Sequence, residues 1–491
     1  MEKNNFYITT TLPYINSEPH IGFAAEIIKA DVIARYQRQQ GKTVFFNTGT
    51  DEHGLKIFQK AQELGIDVQQ YCDLYSDKFR PLKESLNLSY NKFIRTTEPA
   101  HQAAAQEFWR RCQKNGDIYK KNYQVKYCVG CEMEKTDSDL ENGHCPLHPG
   151  RELENIDEEN YFFRFSKYQQ PLLELYRSRP DFVLPASRLK EIETFVAGGL
   201  QDFSISRQKE KMPHGVPVPG DESQVMYVWF DALVNYVSTL GWPKDETGNF
   251  SRYWPGLQVC GKDNLRPQAA MWQAMLLSAG LPASEQILVF GFLTINGEKI
   301  SKSTGNTIDP LALAEKYGSD AVRYYLLSEI PTFSDGDYSE EKFRLRYNAD
   351  LANGLGNLAA RISNLLEKND IETALQINLE LESLQAVKNK FLEAMSGYRF
   401  HEALQAIWEE IKISDETLSR EAPWKLSDLV QIAQVLRPLA QTVLNLAYLL
   451  EPFIPTAAQS IQAQFLASRV KKGAILFPRL VTENESAVNK K

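Results

Sequence analysis

Several features common in other protein classes are missing from this 491-residue sequence. It has no run of eighteen or more apolar residues, so no membrane-spanning helix is expected. Residues 1–6 lead directly into a predicted strand, without the charged and then apolar pattern of a signal peptide. No internal repeat or low-complexity segment is evident, which disfavours a repeat array. These absences predict a cytoplasmic protein without a membrane partner.

Cysteine and excess positive charge are also scarce. Six cysteines are too few for a disulfide scaffold in a chain of this size and suit a reducing compartment. The net charge of −8 gives no support for nucleic-acid binding through overall charge, although binding depends on local basic patches. Apolar content of 43% and charged content of 24% are those of an ordinary globular protein. Its length predicts two to four domains.

Residues 12–23 (LPYINSEPHIGF) connect a predicted strand, 6–10, to a predicted helix, 24–40, that Gly41 closes. His20 and Gly22 therefore lie at a helix start, where free backbone N–H groups and the helix dipole attract anions. Gly22 would let a ligand approach the backbone closely. On its own, a Pro-His-x-Gly quartet is more often an ordinary turn, so this anion site depends on further signals.

The first fifty residues alternate strand, helix and strand, with the second strand at 43–47. Such a βαβ unit implies a parallel sheet with a right-handed crossover. The dinucleotide fingerprint G-x-G-x-x-G is absent. Asp51, Glu52 and His53 follow the second strand, at the edge where α/β sheets collect ligands. The alternative is that Asp51 caps the next predicted helix, 55–64.

A metal site is predicted from two pairs of ligands. Cys128 and Cys131 form Cys-x2-Cys, and Cys145 and His148 form Cys-x2-His, the spacing of two turns that hold one tetrahedral Zn²⁺. Four protein ligands predict a closed, structural site. The alternatives are His144 as the fourth ligand, or reduced thiols without metal. The remaining cysteines are expected to be ordinary buried residues: Cys72, Cys112 and Cys260.

Residues 116–223 interrupt the α/β pattern and are predicted to be an insertion that ends in the Pro/Gly-rich segment 212–220. Within it we expect a strand at 160–165 and a helix at 171–177 with Pro171 at its first position. The α/β pattern then resumes in three apolar runs, at residues 225–231, 258–263 and 287–292. A helix that ends at Ala279 lies between the second run and the third.

A second polar segment, 296–306 (NGEKISKSTGN), places two lysines and two serines in a Gly-flanked loop. Lysine charges together with hydroxyl donors suit a polyphosphate whose negative charge grows in a transition state. The alternative is a solvated basic loop.

The chain from about residue 347 to 467 is predicted to be a helical bundle, followed by a polar, disordered tail from Thr482. Asn357 and Arg361 lie one turn apart on one of its helices, and Pro423 and Trp424 lie near the start of another. The alternatives are a solvated polar face for the first pair and core packing for the tryptophan.

Residues 13–22, followed at a distance by 299–303, resemble the two signature motifs of class I aminoacyl-tRNA synthetases. Further segments resemble the methionyl-tRNA synthetases among them, and the resemblance extends from about residue 5 to 465. These segments are residues 48–54, 228–232 with Tyr236, 261–263, the Cys-x2-Cys pair, Asn357 with Arg361, and 423–424. Valyl, leucyl and isoleucyl enzymes would carry a longer insertion, and a cysteinyl enzyme would hold zinc in its amino-acid pocket.

The resemblance implies a fold class and domains. We expect an α/β Rossmann-like catalytic domain with a parallel sheet, at 1–115 and 224–300, split by a zinc-bearing connective insertion at 116–223. A signature loop and stem-contact segment would follow at 301–346, then an all-α anticodon-binding domain at 347–480 and a polar tail at 481–491. No appended tRNA-binding, dimer-forming domain is recognised, so a monomer is expected.

The resemblance also implies an activity: ATP-dependent ligation of L-methionine to tRNA(Met) through methionyl-adenylate, with release of pyrophosphate and AMP. Mg²⁺ would accompany ATP. His20, Lys299 and Lys302 would be the catalytic residues, and Lys302 the main charge on the leaving pyrophosphate. The implied ATP-binding residues are His20, Gly22, Gly261, Asp263, Lys299, Ser301, Lys302 and Ser303.

Two further sites follow from the same resemblance. Asp51 would pair with the methionine ammonium, and an aromatic and apolar pocket would hold the thioether. The implied methionine-binding residues are Leu12, Tyr14, Asp51, Trp229, Ala232, Tyr236 and Gln268, with plain core packing as the alternative for Trp229 and Tyr236. In the bundle, Trp424 would stack on an anticodon base next to Pro423, and Asn357 and Arg361 would bond base edges.

The sequence departs from the family pattern in two places near these sites. Phe23 stands where the family has a second His, and a Phe cannot donate to phosphate or ribose. Gln268 stands where the family has a His, although Gln retains hydrogen-bonding capacity. Two alternatives to the ligase follow: an inactive relative that binds tRNA, or a nucleotidyltransferase of the same fold acting on a small molecule.

Overall fold

The structure is a computed structural model that describes residues 4–131, 133–135, 139–245, 247–300, 306–381 and 384–480. The strands are β1 (Asn5–Thr9), β2 (Thr43–Thr50), β3 (Lys92–Arg95), β4 (Ile118–Cys128), β5 (Met133–Lys135), β6 (Glu154–Phe163), β7 (Val183–Leu184), β8 (Phe203–Ser204), β9 (Ser206–Gln208), β10 (Pro217–Val218), β11 (Asp221–Met226), β12 (Leu257–Gly261), β13 (Gln286–Phe290), β14 (Leu293–Ile295), β15 (Glu298–Lys299) and β16 (Gly336–Tyr338).

The α-helices are α1 (Ile21–Gln39), α2 (Leu55–Leu64), α3 (Val68–Asp77), α4 (Leu82–Ser85), α5 (Pro99–Lys114), α6 (Gln169–Ser178), α7 (Ala186–Ala197), α8 (Val228–Ala232), α9 (Asn235–Ser238), α10 (Asn249–Tyr253), α11 (Trp272–Ser278), α12 (Pro310–Tyr317), α13 (Ser319–Ser328), α14 (Glu340–Arg346), α15 (Asn357–Lys368), α16 (Gln385–Ser396), α17 (Phe400–Glu421), α18 (Leu429–Leu450) and α19 (Pro455–Phe465). None of the helices in the described ranges has the length and apolar character needed to cross a membrane. Two π-helical segments, Pro267–Met271 and Tyr347–Gly356, adjoin α11 and α15.

The chain divides into two compact units, each built from three separate segments. Unit 1 consists of Met1–Pro19, Gly41–Arg80 and Tyr90–Val289, and unit 2 of His20–Gln40, Pro81–Ser89 and Phe290–Lys491.

Unit 1 is organised around a six-stranded sheet in the order β3-β2-β1-β12-β13-β7. Pairing is parallel between β3 and β2, β2 and β1, β1 and β12, and β13 and β7. The chain order reverses between β1 and β12, where an open α/β sheet forms its ligand crevice. The predicted Rossmann-like parallel sheet is confirmed.

A large aromatic core packs beside this sheet. Phe108 of α5 stacks on Trp272 of α11 with ring centroids 5.4 Å apart, and Trp109 meets Phe230 of α8 edge to face. All four side chains are buried. Large rings of this kind bury much apolar area and so dominate the stability of a core.

Residues predicted to form an insertion build a four-stranded sheet in the order β5-β4-β6-β8. Its long antiparallel pair, β4 and β6, runs in register from Ile118 opposite Phe163 to Tyr127 opposite Glu154. The predicted strand at 160–165 thus overlaps the end of a longer strand, which stops at Phe163, two residues before the predicted end. Pro171 is the third residue of α6, not its first, because a 3₁₀ turn at Phe165–Tyr168 leads into the helix two residues earlier.

The apolar run at 225–231 does not form a single strand. β11 ends at Met226, and Tyr227, in an extended conformation, caps α8, with the N–H groups of Phe230 and Asp231 donating to its carbonyl. A short helix buried on most sides has the same continuous apolar pattern as a buried strand, so periodicity does not separate the two.

Unit 2 contains α1 and the helical C-terminal part of the chain. Helix α1 begins at Ile21, three residues before the predicted start, and is buried on most of its surface. A small sheet in the order β15-β14-β16 precedes the helices from α14 to α19. The predicted helical C-terminal region is confirmed. The predicted disordered tail lies outside the described residues.

Candidate active site and metal centre

In unit 1, Asp51 lies beside the segment that follows β1. Its N–H donates to the carbonyl of Pro13 over 3.0 Å, and its carbonyl accepts from the N–H of Ile15 over 3.2 Å. These bonds pair Tyr14 with Asp51 as a short parallel extension of the sheet. Leu12 and Tyr14 are both half-buried there. The structure therefore brings the predicted ammonium partner next to the predicted pocket residue Tyr14.

The alternative in which Asp51 caps α2 is not found. The N-terminal cap of that helix is Gly54, whose N–H donates to the carbonyl of His214 over 3.2 Å. The side chain of Asp51 is bonded elsewhere: its Oδ1 accepts from Oγ1 of Thr96, just after β3, over 3.5 Å.

Glu52 anchors this loop within unit 1. Its buried carboxylate accepts from Thr50 Oγ1 over 2.6 Å and pairs with Arg95 Nε over 2.7 Å. Its backbone N–H donates to Thr96 Oγ1 over 2.9 Å. A buried carboxylate is stable only when its oxygens are paired in this way. Glu52 therefore fixes the loop to the end of β3 and does not face a ligand.

His53 turns instead toward α8. Its Nδ1 lies 2.9 Å from Oδ2 of Asp231, and the other oxygen, Oδ1, lies 3.3 Å from Nε2 of His101 on α5. All three side chains are buried. Burial alone would raise the pKa of Asp231, but the two imidazoles lower it below its ordinary value. Asp231 is thus a carboxylate with one histidine on each oxygen.

His214 contacts both Glu52 and His53. Its Nε2 donates to the Glu52 carbonyl over 2.8 Å, and its ring lies 5.0 Å from that of His53. Burial, and then the proximity of His53, lowers the pKa of His214 to about 4. It is therefore neutral at physiological pH.

The other predicted pocket residues lie on and after α8. Trp229 and Ala232 belong to α8, the first half-buried and the second buried. Tyr236, on α9, is buried, and Nε2 of Gln268 donates to its hydroxyl. The structure thus joins Tyr236 and Gln268 directly.

Gln268 belongs to a network of uncharged side chains. Its Oε1 accepts from Nε2 of Gln258 over 3.4 Å, and Gln258 in turn accepts from the hydroxyl of Ser284. Gln273 Nε2 donates to the same hydroxyl over 3.0 Å and to the Gln268 carbonyl over 2.8 Å. Gln258 lies on β12, opposite Thr9 of β1. The π-helical turn that carries Gln268 is therefore fixed to the sheet without any ionisable group.

Gly261 and Asp263, predicted to bind ATP, lie at the carboxyl end of β12. Gly261 is the last residue of that strand, and Asp263 belongs to the 3₁₀ turn Lys262–Asn264. Because β12 adjoins β1, both lie at the edge where the strand order reverses.

In unit 2, His20 is the N-terminal cap of α1. Its Nδ1 accepts from the N–H of Gly22 over 3.1 Å. In the neutral ring the proton must then be on Nε2, which makes that nitrogen a donor. This role as a cap was not predicted.

Gly22 brings the two signature motifs together. A Cβ at this position would lie 3.0 Å from Cε1 of His20 and 3.2 Å from Cδ1 of Ile300. The N–H of Ile21 also donates to the carbonyl of Ile308 over 3.0 Å, so the second motif and the segment that follows it both meet the start of α1. Lys299 pairs with Thr294 in the β14–β15 ladder. Ser301, Lys302 and Ser303 lie outside the described residues.

The predicted metal ligands form one cluster in unit 1. The ligand atoms of Cys128, Cys131, Cys145 and His148 all lie within 4.8 Å of one another. Nδ1 of His148 is 3.8, 3.3 and 3.9 Å from the three sulfur atoms in that order. Separations of this size are the edges of a tetrahedron around an ion bound at about 2.0–2.3 Å. The residues therefore fit a tetrahedral metal, with His148 and not His144 in the cluster.

The two turns of this knuckle pack on each other. The N–H of Cys131 donates to the Cys128 carbonyl, and that of His148 to the Cys145 carbonyl. Gly130 lies so close to the His148 ring that a Cβ would meet its atoms at 2.4 to 2.7 Å. Nζ of Lys56 donates to the Gly130 carbonyl over 2.5 Å and also lies 5.9 Å from the Tyr14 ring.

In the helical part of unit 2, Arg361 and Trp424 come together. The guanidinium lies 5.5 Å from the indole, donates to Asp415 of α17 and reaches Ser419 Oγ over 3.3 Å. Trp424 is 48% exposed, so it is not a core residue. Asn357 is exposed one turn before Arg361, while Pro423 is buried. An exposed indole beside an oriented guanidinium can stack on a base.

Three polar residues around the pocket were missed from the sequence. Asp231 had a detectable signal, a charge inside an apolar run, which is stable only if paired. His101 and Gln258 had none, since each depends on a contact between residues distant in the chain.

Comparison with known proteins agrees with this arrangement. The family model described as "tRNA synthetases class I (M)" matches residues 6–152 and 138–363. The methionine–tRNA ligase of Thermosynechococcus vestitus is 43% identical over 98% of this chain and 94% of its own. That of Brucella suis is 40% identical over 99% of this chain and 100% of its own. The structure resembles that of Mycobacterium tuberculosis methionyl-tRNA synthetase in complex with methionyl-adenylate, with a TM-score of 0.88, 38% identity, and coverage of 97% of this chain and 99% of that one.

The fold and these matches define the class of protein. The chain belongs to the class I tRNA synthetases and, within them, to the methionine–tRNA ligase family.

Proposed function

We propose that this chain ligates L-methionine to tRNA(Met) in two steps. The methionine carboxylate attacks the α-phosphate of ATP, which forms methionyl-adenylate and releases pyrophosphate. The terminal adenosine of the tRNA then attacks the adenylate and releases AMP. The observation that carries the proposal is the close approach of Gly22, in the first signature motif, to Ile300 in the second, in a chain whose full-length relatives are methionine–tRNA ligases.

His20 acts on the ATP side. Because its Nδ1 accepts from Gly22, its Nε2–H is the group that donates to a phosphate oxygen. Lys299 and Lys302 neutralise the charge that develops on the leaving pyrophosphate. Ser301 and Ser303 donate to phosphate oxygens, and the remaining ATP contacts come from Gly22, Gly261 and Asp263.

Methionine binds in unit 1. Asp51 pairs with its ammonium group, and Leu12, Tyr14, Trp229, Ala232 and Tyr236 surround its thioether. Gln268 takes the place of the family's usual His and holds the Tyr236 hydroxyl. Aromatic faces suit a polarisable sulfur, and a fixed pocket places the carboxylate for attack.

Zinc is the metal that best suits three thiolates and one imidazole in a closed tetrahedral knuckle. It would stabilise the loops between Cys128 and His148 and take no part in the reaction. Mg²⁺, a hard cation that binds phosphate oxygens, would enter with ATP.

In unit 2, Trp424 and Pro423 support an anticodon base, and Asn357 and Arg361 bond its edge. This role assigns residues 347–480 to anticodon binding and 301–346 to the signature loop and tRNA stem. Residues 1–115 and 224–300 form the catalytic domain, with 116–223 as its insertion and 481–491 as a tail. We place the enzyme in the cytoplasm as a monomer.

The test is amino-acid-dependent exchange of pyrophosphate into ATP, followed by tRNA charging. We expect exchange with methionine and charging of tRNA(Met). Exchange with a different amino acid, or none with methionine, would disprove the assignment. Binding of tRNA without exchange would support the inactive relative that Phe23 suggests, and exchange without charging would support a nucleotidyltransferase.

The role of Trp424 is tested separately with Trp424→Ala. Because the ring is half exposed, its loss should leave folding and exchange unchanged while charging of tRNA falls by about tenfold or more. Ile413→Ala, which removes another exposed apolar side chain in the same unit, is the control. Equal charging by both variants would contradict the role.

A further inference from the structure

The buried cluster around Asp231 joins three separate parts of unit 1. Asp231 lies in α8 between Trp229 and Ala232, and its Oδ2 lies 2.9 Å from His53, two residues after Asp51. Its Oδ1 lies 3.3 Å from His101 of α5, whose Nδ1 lies 2.9 Å from the hydroxyl of Ser238. The helix with the thioether residues is therefore bonded to the loop with the ammonium partner.

We propose that Asp231 and His53 are positioning residues that set the separation between Asp51 and the Trp229–Ala232 wall, and so select amino acids by side-chain length. The inference rests on the proposed function. Methionine has a fixed number of bonds between its ammonium and its terminal methyl group. A pocket held at that length favours methionine over amino acids one methylene longer or shorter.

The chemistry of the cluster supports positioning over simple packing. Asp231 has no exposed surface and His53 and His101 have 1% each, and burying a carboxylate is costly unless both oxygens are paired. Both are paired here, by donors from two different elements. The ionised Asp231 carboxylate can only accept, so Nε2 of His101 is the donor to it, and in the neutral ring Nδ1 then accepts from Ser238. Each bond therefore has one direction, and the cluster specifies a single orientation of α8.

A small displacement would be enough to change selection. One methylene in an apolar pocket is worth about tenfold to a hundredfold in kcat/KM when the pocket is rigid. If α8 were free to shift relative to the loop, the pocket would accept a longer side chain and hold the methionine carboxylate less accurately. Binding of ATP should not change, because the proposed ATP-binding residues do not include Asp231 or His53.

The test compares Asp231→Asn, His53→Leu and His53→Asn with the parent in pyrophosphate exchange. The substrates are L-methionine, L-ethionine, which is one methylene longer, and S-methyl-L-cysteine, which is one shorter. In Asp231→Asn and His53→Leu we expect the KM for methionine to rise, and the preference for methionine over either analogue to fall by about tenfold. The KM for ATP should stay within about twofold.

His53→Asn is the conservative variant, because an Asn amide can occupy the position of Nδ1 and donate to Asp231. It should restore most of the selectivity that His53→Leu loses. Asp117→Asn is the matched control: Asp117 is another buried carboxylate of unit 1, bonded to Ser278 over 2.8 Å and Lys167 over 2.6 Å. It should lower the melting temperature and leave selectivity unchanged.

The outcomes are distinct. Unchanged selectivity in a folded Asp231→Asn or His53→Leu protein overturns the inference, as does an equal loss in Asp117→Asn. If Asp231→Asn fails to fold, the two His53 variants decide, since both keep the carboxylate and His101. A parent protein without methionine-dependent exchange would overturn the proposed function and, with it, this inference.

Discussion

At the scale of single residues, His20 has two nitrogens with two different tasks. Nδ1 caps α1 by accepting from Gly22, and Nε2 carries the proton proposed to meet phosphate. The two tasks can be tested separately, because the side-chain amide of Asn can replace one nitrogen and that of Gln the other. An Asn oxygen can occupy the position of Nδ1, and a Gln nitrogen the position of Nε2.

We therefore expect opposite results from two substitutions. His20→Asn should keep the melting temperature and lose exchange by about a hundredfold, because the cap remains and the donor is gone. His20→Gln should keep more of the exchange activity and lose about 1 kcal/mol of stability, the cost of a helix cap. Exchange kinetics and thermal unfolding check both. Equal activity of the two variants would contradict this division.

His214 makes a prediction about pH. Its pKa of about 4 in the folded chain lies below the ordinary value near 6.5, so the unfolded chain takes up a proton first as pH falls. His214 therefore costs no stability above pH 6.5 and lowers stability progressively from pH 6.5 to 4. His214→Gln keeps the donor to Glu52 but cannot titrate there. Urea midpoints between pH 4.5 and 7.5 should diverge below pH 6.5, with the variant the more stable; parallel curves would be evidence against this.

The roles of some of these residues could be predicted from the sequence, and those of others could not. Asp51 was predicted to contact a ligand because it follows a strand at the ligand edge of a parallel sheet; its position there is observed, and its role stays a prediction. The separate roles of its neighbours Glu52 and His53 were not, because they depend on Arg95 and Asp231, 43 and 178 residues away. His20 was found as part of a motif, but its cap depends on a side-chain rotation that no pattern specifies.

At the scale of elements, the knuckle shows how a glycine can control a metal site without being a ligand. Gly130→Ala would place a Cβ within 2.4 to 2.7 Å of the His148 ring, and the ring would have to move. Gly150 has open space around a Cβ, so Gly150→Ala is the matched control.

We expect Gly130→Ala to weaken metal binding by about tenfold or more while all four ligands remain, since even outer contacts of a metal ligand have effects of this size. Gly150→Ala should bind as the parent does. Elemental analysis of purified protein and titration with a chelator measure both. The parent should contain one zinc per chain, and a metal-free parent would refute the site.

Helices and strands also differ in how well the sequence predicts them. The spacing of the knuckle, the β1–α1–β2 unit and the C-terminal helices follow patterns that local residues determine, and all were found. Helix α8 was not distinguished from a strand, because its burial by α5 and the rest of the core depends on tertiary contacts that the local sequence does not show. The carboxylate within it was the one local sign that the run was unusual.

At the scale of the whole chain, unit 2 depends on a buried ion pair that joins its three segments. Arg323 of α13 bonds Asp31 of α1 over 2.8 Å, donates to the Leu86 and Asn87 carbonyls over 3.2 and 3.3 Å, and reaches the Pro452 and Phe453 carbonyls over 2.9 and 2.8 Å. Neither charged side chain is exposed. Removal of Arg323 would leave the buried Asp31 carboxylate with Arg35 as its remaining cationic partner, at 2.7 Å.

Arg323→Leu should therefore destabilise unit 2 by about 3–5 kcal/mol, the usual cost of breaking a buried pair from one side. Arg323→Leu combined with Asp31→Asn should cost less, because no fully buried charge is then left short of a partner; Arg35, which also pairs with Asp31, is partly exposed. Arg346→Leu, which removes an exposed pair with Glu329 and Asp350, should cost at most about 1 kcal/mol. Urea unfolding measures all three, and a mild effect of Arg323→Leu alone would contradict the central role of the pair.

The same bonds argue against truncation as a test of tRNA recognition. Deletion of the chain after residue 346 would remove the Pro452 and Phe453 carbonyls from Arg323 and the partner of Gln39 on α18. Loss of activity in such a protein would then report misfolding of unit 2. Single substitutions such as Trp424→Ala test tRNA recognition without this ambiguity.

The interleaving of the two units has a consequence for synthesis. Gln39, at the end of α1, bonds the carbonyl of Tyr448, 409 residues later. At about 5–20 residues per second, a ribosome needs roughly 20 to 80 seconds to make that stretch. During this time α1, which ends up buried on most of its surface, has left the exit tunnel with only part of its partners made, among them Asn87 and Ser89. Its protection in the nascent chain must come from ribosome-associated chaperones or from transient contacts, and α1 is where slow translation would favour aggregation.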